Sequence, residues 1–200
     1  MKKYLFPVLL SLSLGSVFAQ SSDKVIGESV PEVNAQEEAQ KTALKQKFYA
    51  SMQTGLEFGQ CQSRVMYLAK SEKGNEQAYE FNQKNFDFAR DRGQYSMDCQ
   101  EKGNQFAQVM KSVVAGEFSG ILKSEEMLDY SVILGICEAS FSVEDVFKTQ
   151  ENIRNIKYYD AYFEGQILQM FKVGSKAGFR ESCLDVYTEQ QKLVAITQMF

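Results

Sequence analysis

The sequence predicts an all-α fold, an antiparallel helical bundle of five to seven helices or two stacked three-helix units, carrying two disulfides. Three observations predict it. Apolar residues recur at three- and four-residue spacing through most of the chain after residue 34. Proline occurs only at Pro7 and Pro31, so nothing later forbids a long helix. Four cysteines, Cys61, Cys99, Cys137 and Cys183, each fall on an apolar stripe of such a segment.

The first helix is expected at Asn34, because Asn34 and Glu37 form a capping-box pair. Leu44, Phe48, Met52, Phe58, Cys61, Val65 and Leu68 continue its apolar stripe. Gly55 and Gly59 interrupt it, and each costs about 1 kcal/mol relative to alanine inside a helix. A kink or a close helix contact is expected there. Gly74 and Asn75 mark a turn, after which Ala78, Phe81, Asn85, Phe88 and Ala89 share one face of a second helix. Arg92 and Gly93 suit its C-terminal end; Asn85, polar on that face, is expected to bond a neighbouring helix. A third helix from about Tyr95 turns Cys99, Phe106, Val109, Met110 and Val113 inward, and stops near Gly116 or Gly120.

Ser124 can cap a fourth helix, with Glu125 and Glu126 in its first turn. Its body, residues 127–141, contains the nearly all-apolar run 132–137 and should be the most buried helix. A strand there would lack a second β-branched run to pair with. Ser142 with Asp145, flanked by Phe141 and Val146 as a hydrophobic staple, reads as the start of a fifth helix. Ile153, Ile156, Phe163, Ile167, Met170 and Phe171 form its inner stripe, up to Gly174. The last helix runs from about Phe179, lined by Cys183, Val186, Tyr187, Leu193 and Val194.

A weak internal repeat runs through these elements. Gly59-Gln60-Cys61 resembles Gly135-Ile136-Cys137, while Arg92 and Lys176 each stand seven residues before a cysteine, and Tyr95 and Phe179 four before. The pattern suggests pseudo-repeats over residues 34–120 and 121–200 within a single helical domain of residues 34–200. Four cysteines allow three pairings, and the repeat selects Cys61 with Cys99 and Cys137 with Cys183.

Residues 1–19 read as a signal peptide, with Lys2 and Lys3, an apolar stretch from Leu5 to Leu14, and a small-residue cleavage site at Val17-Phe18-Ala19. Residues 20–33 read as a flexible leader. The apolar stretch is too short to span a bilayer and no later one approaches the length, so no membrane anchor is expected after cleavage. The expected location is periplasmic or secreted, an oxidising setting that suits disulfides. Loss of Lys2 and Lys3 takes the net charge from −4 to −6. With no basic cluster, nucleic acid is excluded as a partner; a basic protein of the cell envelope or the exterior is favoured.

Catalytic chemistry is narrowed by composition. The chain has no histidine, which excludes serine–histidine and cysteine–histidine arrangements. The cysteines lie 38, 38 and 46 residues apart, unlike zinc ligands, so no metal and no cofactor is expected. Carboxylate chemistry survives: Asp160, on the stripe between Ile156 and Phe163, or Glu117, in a groove, could serve a glycosidase-type enzyme. A solvated Asp160 is the plainer alternative. Arg90, Arg92, Lys176 and Arg180 could receive an anion at a helix start, although compensation of helix-end charge explains them more simply. Tyr158, Tyr159 and Tyr162, next to Phe163, exceed what one inner stripe absorbs. A core role accounts for them more readily; outside the core they would be the best binding site in the chain. The expected function is therefore an exported, non-catalytic helical binding module, of inhibitor or immunity type, with a carboxylate enzyme or a carrier of an apolar ligand as alternatives. Fifteen phenylalanines and eight methionines suit the carrier, and core packing equally.

Overall fold

The computed structural model describes residues 32–71, 76–89, 91–149 and 162–199, and these are helical apart from short connections, with no strand among them. Among the described residues six α-helices follow in order: α1 (Glu32–Ser71), α2 (Glu76–Asn85), α3 (Arg92–Val114), α4 (Ser124–Thr149), α5 (Leu168–Phe171) and α6 (Lys176–Met199). A single 3-10 turn, Asp87–Ala89, follows α2, and a π-helical turn, Phe163–Ile167, leads into α5. The signal peptide, the leader up to Pro31, and Ile153, Ile156, Tyr158, Tyr159 and Asp160 lie outside the described residues.

The centre of the fold is the crossing of α1 and α4, the most extensive helix contact, with α3 packed on α1 and α6 on α4. Gly59 and Gly135 make the crossing possible. A Cβ on Gly59 would stand 2.0 Å from the carbonyl oxygen of Val132, and one on Gly135 would stand 2.0 Å from that of Leu56. The relation is reciprocal: each glycine meets the carbonyl three residues before the other and the amide nitrogen one residue after it. Backbone therefore lies on backbone from both sides, a separation that any side chain would open. Of the two expectations for the α1 glycines, close contact holds. Gly55, one turn earlier, would bring a Cβ to 3.1 Å from both the Phe106 ring and Ser131 Cβ.

Each outer helix is tied to its central helix by a disulfide. Cys61–Cys99 joins α1 to α3 with Cα atoms 5.5 Å apart, and Cys137–Cys183 joins α4 to α6 at 6.1 Å. Both pairs are the ones the repeat selects. An ion pair accompanies each bond, Glu57 with Lys102 and Glu144 with Arg180, both at 2.5 Å.

Two apolar clusters fill the space on either side of the crossing. One gathers Tyr67, Phe86, Ile136, Val143, Phe163 and Phe179 with the second disulfide. The other gathers Phe48, Phe118, Ile121, Met127, Leu128 and Leu193. Phe118 enters it from the α3–α4 connection, its ring edge-on to Phe48 at 5.2 Å. That connection turns at Gly116, whose φ of +82° is a glycine conformation, and at Lys123, with φ of 54°.

Several boundaries differ from the sequence reading. α1 begins at Glu32, so Asn34 and Glu37 lie inside it. Arg92 and Gly93 open α3 and do not close α2, because Asp91 accepts a hydrogen bond from the Gln94 amide at 3.1 Å as an N-cap. No helix starts at Ser142: α4 continues through it to Thr149, and Val143 and Glu144 keep its buried face running. α6 starts at Lys176, three residues early, with the Ser175 hydroxyl accepting from the Gly178 amide at 3.1 Å. Met170 and Tyr187, placed inward by periodicity, are 44% and 46% exposed.

The disulfides lead to a direct test. Non-reducing peptide mapping of the folded protein should recover Cys61 linked to Cys99 and Cys137 linked to Cys183. Reduction should lower stability by up to about 4 kcal/mol per bond, the chain-entropy value for loops of these lengths. Recovery of Cys61 linked to Cys183 would contradict the arrangement of helices.

Candidate functional site

Tyr162 takes the core alternative. It is fully buried, and its hydroxyl meets those of Ser63 on α1 and Ser140 on α4. The two serine oxygens are 3.1 Å apart and Ser140 is 3.0 Å from the tyrosine oxygen. Three hydroxyls in a triangle can each donate once and accept once, so the ring closes with every proton placed. Burial pushes the Tyr162 hydroxyl's pKa up, against the opposing effect of the bonds to Ser140 and Ser63. The phenol stays neutral. Its ring lies edge-on to Tyr67 at 5.2 Å, and the Tyr67 hydroxyl donates to buried Asn82 of α2 at 2.9 Å. Burial also raises the Tyr67 pKa, with a smaller push from Tyr162. This network joins α1, α2, α4 and the segment that leads into the π-helical turn, and Tyr162 offers a partner no surface. Asn85, the last residue of α2, is only half-buried.

The other residues singled out by sequence are dispersed. Glu117 sits on the exposed α3–α4 connection and pairs with Lys47. That contact, with a hydrogen bond from Ser112, holds its carboxyl below the usual range. It is an ion-paired surface acid, and Asp160 lies outside the described residues. Arg180 is engaged by the mostly buried Glu144, and the Lys176 ammonium lies over the Phe163 ring, 5.3 Å from its centre. Arg92 is exposed in the first turn of α3, and Arg90 lies outside the described residues. These cations do not converge on one anion site.

What the sequence did not single out is a surface trough of about 680 Å³ between α1 and α3. Its inner wall is Phe58, with Phe106 stacked on it at 5.7 Å and 26° between planes, and Met110 and Val114 prolong that row. Gly103, Ala107 and Ala115 form its floor at four-residue intervals together with Lys111. Gly103 is needed there: a Cβ would stand 2.9 Å from the Phe58 ring. The lining is apolar except for Lys111, and Val114 is 83% exposed. Phe106 and Met110, expected in the core, are half-buried; Gly103, Ala107, Lys111 and Ala115 recur beside them at four-residue intervals, a spacing that marks one face of α3 but not whether a neighbour covers it.

Among the described residues no group of histidine, cysteine, aspartate or glutamate is placed to hold a metal ion, and no helix is long and apolar enough to cross a membrane. Comparison with protein-family models, with curated proteins and with solved structures finds no match to this chain.

Replacing Tyr162 by phenylalanine should cost about 1–2 kcal/mol in urea unfolding, because one of the two remaining hydroxyls then has no acceptor for its proton. Alanine there should cost about 3–5 kcal/mol by emptying the core. Unchanged stability in both variants would contradict the buried position.

Proposed function

We propose that the chain is an exported, non-catalytic helical binding module whose partner resides in the cell envelope or outside the cell. The observation that carries this reading is the α1–α3 trough: an exposed apolar surface of this size, built on two helices locked by Cys61–Cys99, is a feature that interaction sites share. The secretion pattern of residues 1–19 and the two disulfides support an oxidising, extracytoplasmic setting. Net negative charge favours association with a basic partner, which is compatible with an inhibitor or immunity-type role. The same trough also supports the second reading, a carrier of an apolar ligand, because its volume falls within the roughly 300–1,000 Å³ of small-molecule sites.

Site-specific photo-crosslinking in the producing cell tests the proposal. A benzophenone amino acid at position 114, at the exposed end of the trough, should give a discrete adduct. The same group at position 185, exposed on α6, should give none. Equal labelling from both positions, or none from either, would contradict a binding role for this face.

A further inference from the structure

The trough carries one cation in an otherwise apolar lining, and this narrows its occupant. Lys111 stands in the last turn of α3 between Ala107 and Ala115, exposed and, like Lys45, Lys84 and Lys172, without a carboxylate partner among the described residues, but it alone of these borders the trough. Its stem can lie along the apolar wall while the ammonium reaches the rim. The trough extends about 18 Å from Gly103 to Ala115 at 1.5 Å per residue. Gly103, Ala107 and Ala115 keep one side of the trough low, and the Phe58, Phe106 and Met110 side chains line it with aromatic and thioether surface. A cation in the last turn suits the negative end of α3, and its ammonium remains available to an anionic group at the rim. A site for a polar solute would need hydrogen-bonding groups that this lining lacks.

We propose that the α1–α3 trough binds a single-chain amphiphile, its hydrocarbon tail against Phe58, Phe106 and Met110 and its anionic head at Lys111. The assignment rests on the second reading of the trough, a carrier of an apolar ligand, and gives it a ligand class. Volume and charge both favour it: the tail removes apolar wall from water, and the head supplies the counter-charge that no neighbouring residue provides. An amphipathic helix from a partner protein is the competing occupant, and it is an outcome of the test below.

The disulfide-intact mature protein is titrated with dansylamino-undecanoic acid, following dansyl fluorescence, and the probe is then displaced with dodecanoate or dodecanol below their aggregation limits. Saturable one-to-one binding is expected, with dodecanoate displacing the probe at about three- to five-fold lower concentration than dodecanol, the range of an exposed ion pair. Lys111→Glu should abolish that preference while retaining dodecanol binding. Ala107→Trp, at an exposed position, should fill the floor and remove binding without lowering the melting temperature. Two results overturn the proposal: absence of saturable binding, or binding that Ala107→Trp leaves intact. Equal potency of dodecanoate and dodecanol overturns the role given to Lys111. If the probe fails but a photo-crosslink from position 114 captures a protein, the trough is a helix-docking surface, and the wider reading survives without the amphiphile.

Discussion

The backbone-to-backbone contact of Gly59 with Val132 and of Gly135 with Leu56 is the constraint on which the rest of the structure depends. Helices separated by ordinary side chains lie about 8–10 Å apart, and contact between main chains requires glycine on both partners. Placing two glycines in helix interiors costs about 2 kcal/mol in intrinsic propensity. That cost is offset by what close approach permits. Cys61 and Cys137 each follow their glycine by two residues, so the crossing fixes which side of α1 and of α4 presents its cysteine, and thereby where α3 and α6 are attached. Ser63 and Ser140 come within hydrogen-bond reach of each other across the same pair of helices.

Polarity inside the protein divides into two kinds. The Ser63–Ser140–Tyr162 triangle is buried and closed on itself, so it sets the register of the helices and has no spare donor for a ligand. Buried Gln190 of α6 acts similarly, donating to the Met127 carbonyl and to Ser131 at 3.4 Å. The trough is the opposite case, an apolar surface left outside the core with a cation beside it. The buried polar contacts and the exposed apolar surface thus occupy different faces of α1: Ser63 lies on its α4 side and Phe58 on its α3 side.

Helical class and both disulfides were legible in the sequence because their signals are local or periodic. The apolar stripes of α1, α3 and α4 follow helical spacing, and the glycine-before-cysteine repeat marks equivalent points on α1 and α4. Helix ends were less legible, since competing end signals occur together. Asp91 three residues before Gln94 is itself a start signal, and it prevailed over the Arg92-Gly93 stop pattern. Ser142 with Asp145 resembled a start, yet no glycine or proline breaks α4 there, and the buried face continues across Val143 and Glu144. The trough was illegible for a different reason. Phe58, Phe106 and Met110 have the same periodicity whether a neighbouring helix covers them fully or only in part, and the uncovered side depends on tertiary placement. Tyr162 is the opposite case: the sequence favoured a core role over an exposed patch, and Tyr162 is buried with its hydroxyl between Ser63 of α1 and Ser140 of α4.

Urea unfolding of three disulfide-intact glycine variants tests the central constraint most directly. Gly93, in the first turn of α3, has open space where a Cβ would go, so Gly93→Ala should be neutral or up to about 1 kcal/mol stabilising. Gly59→Ala gains the same propensity but must push Val132 away from a 2.0 Å clash, and should lose about 3 kcal/mol or more, as should Gly135→Ala. Equal stabilities for Gly59→Ala and Gly93→Ala would contradict a backbone-to-backbone crossing of α1 and α4.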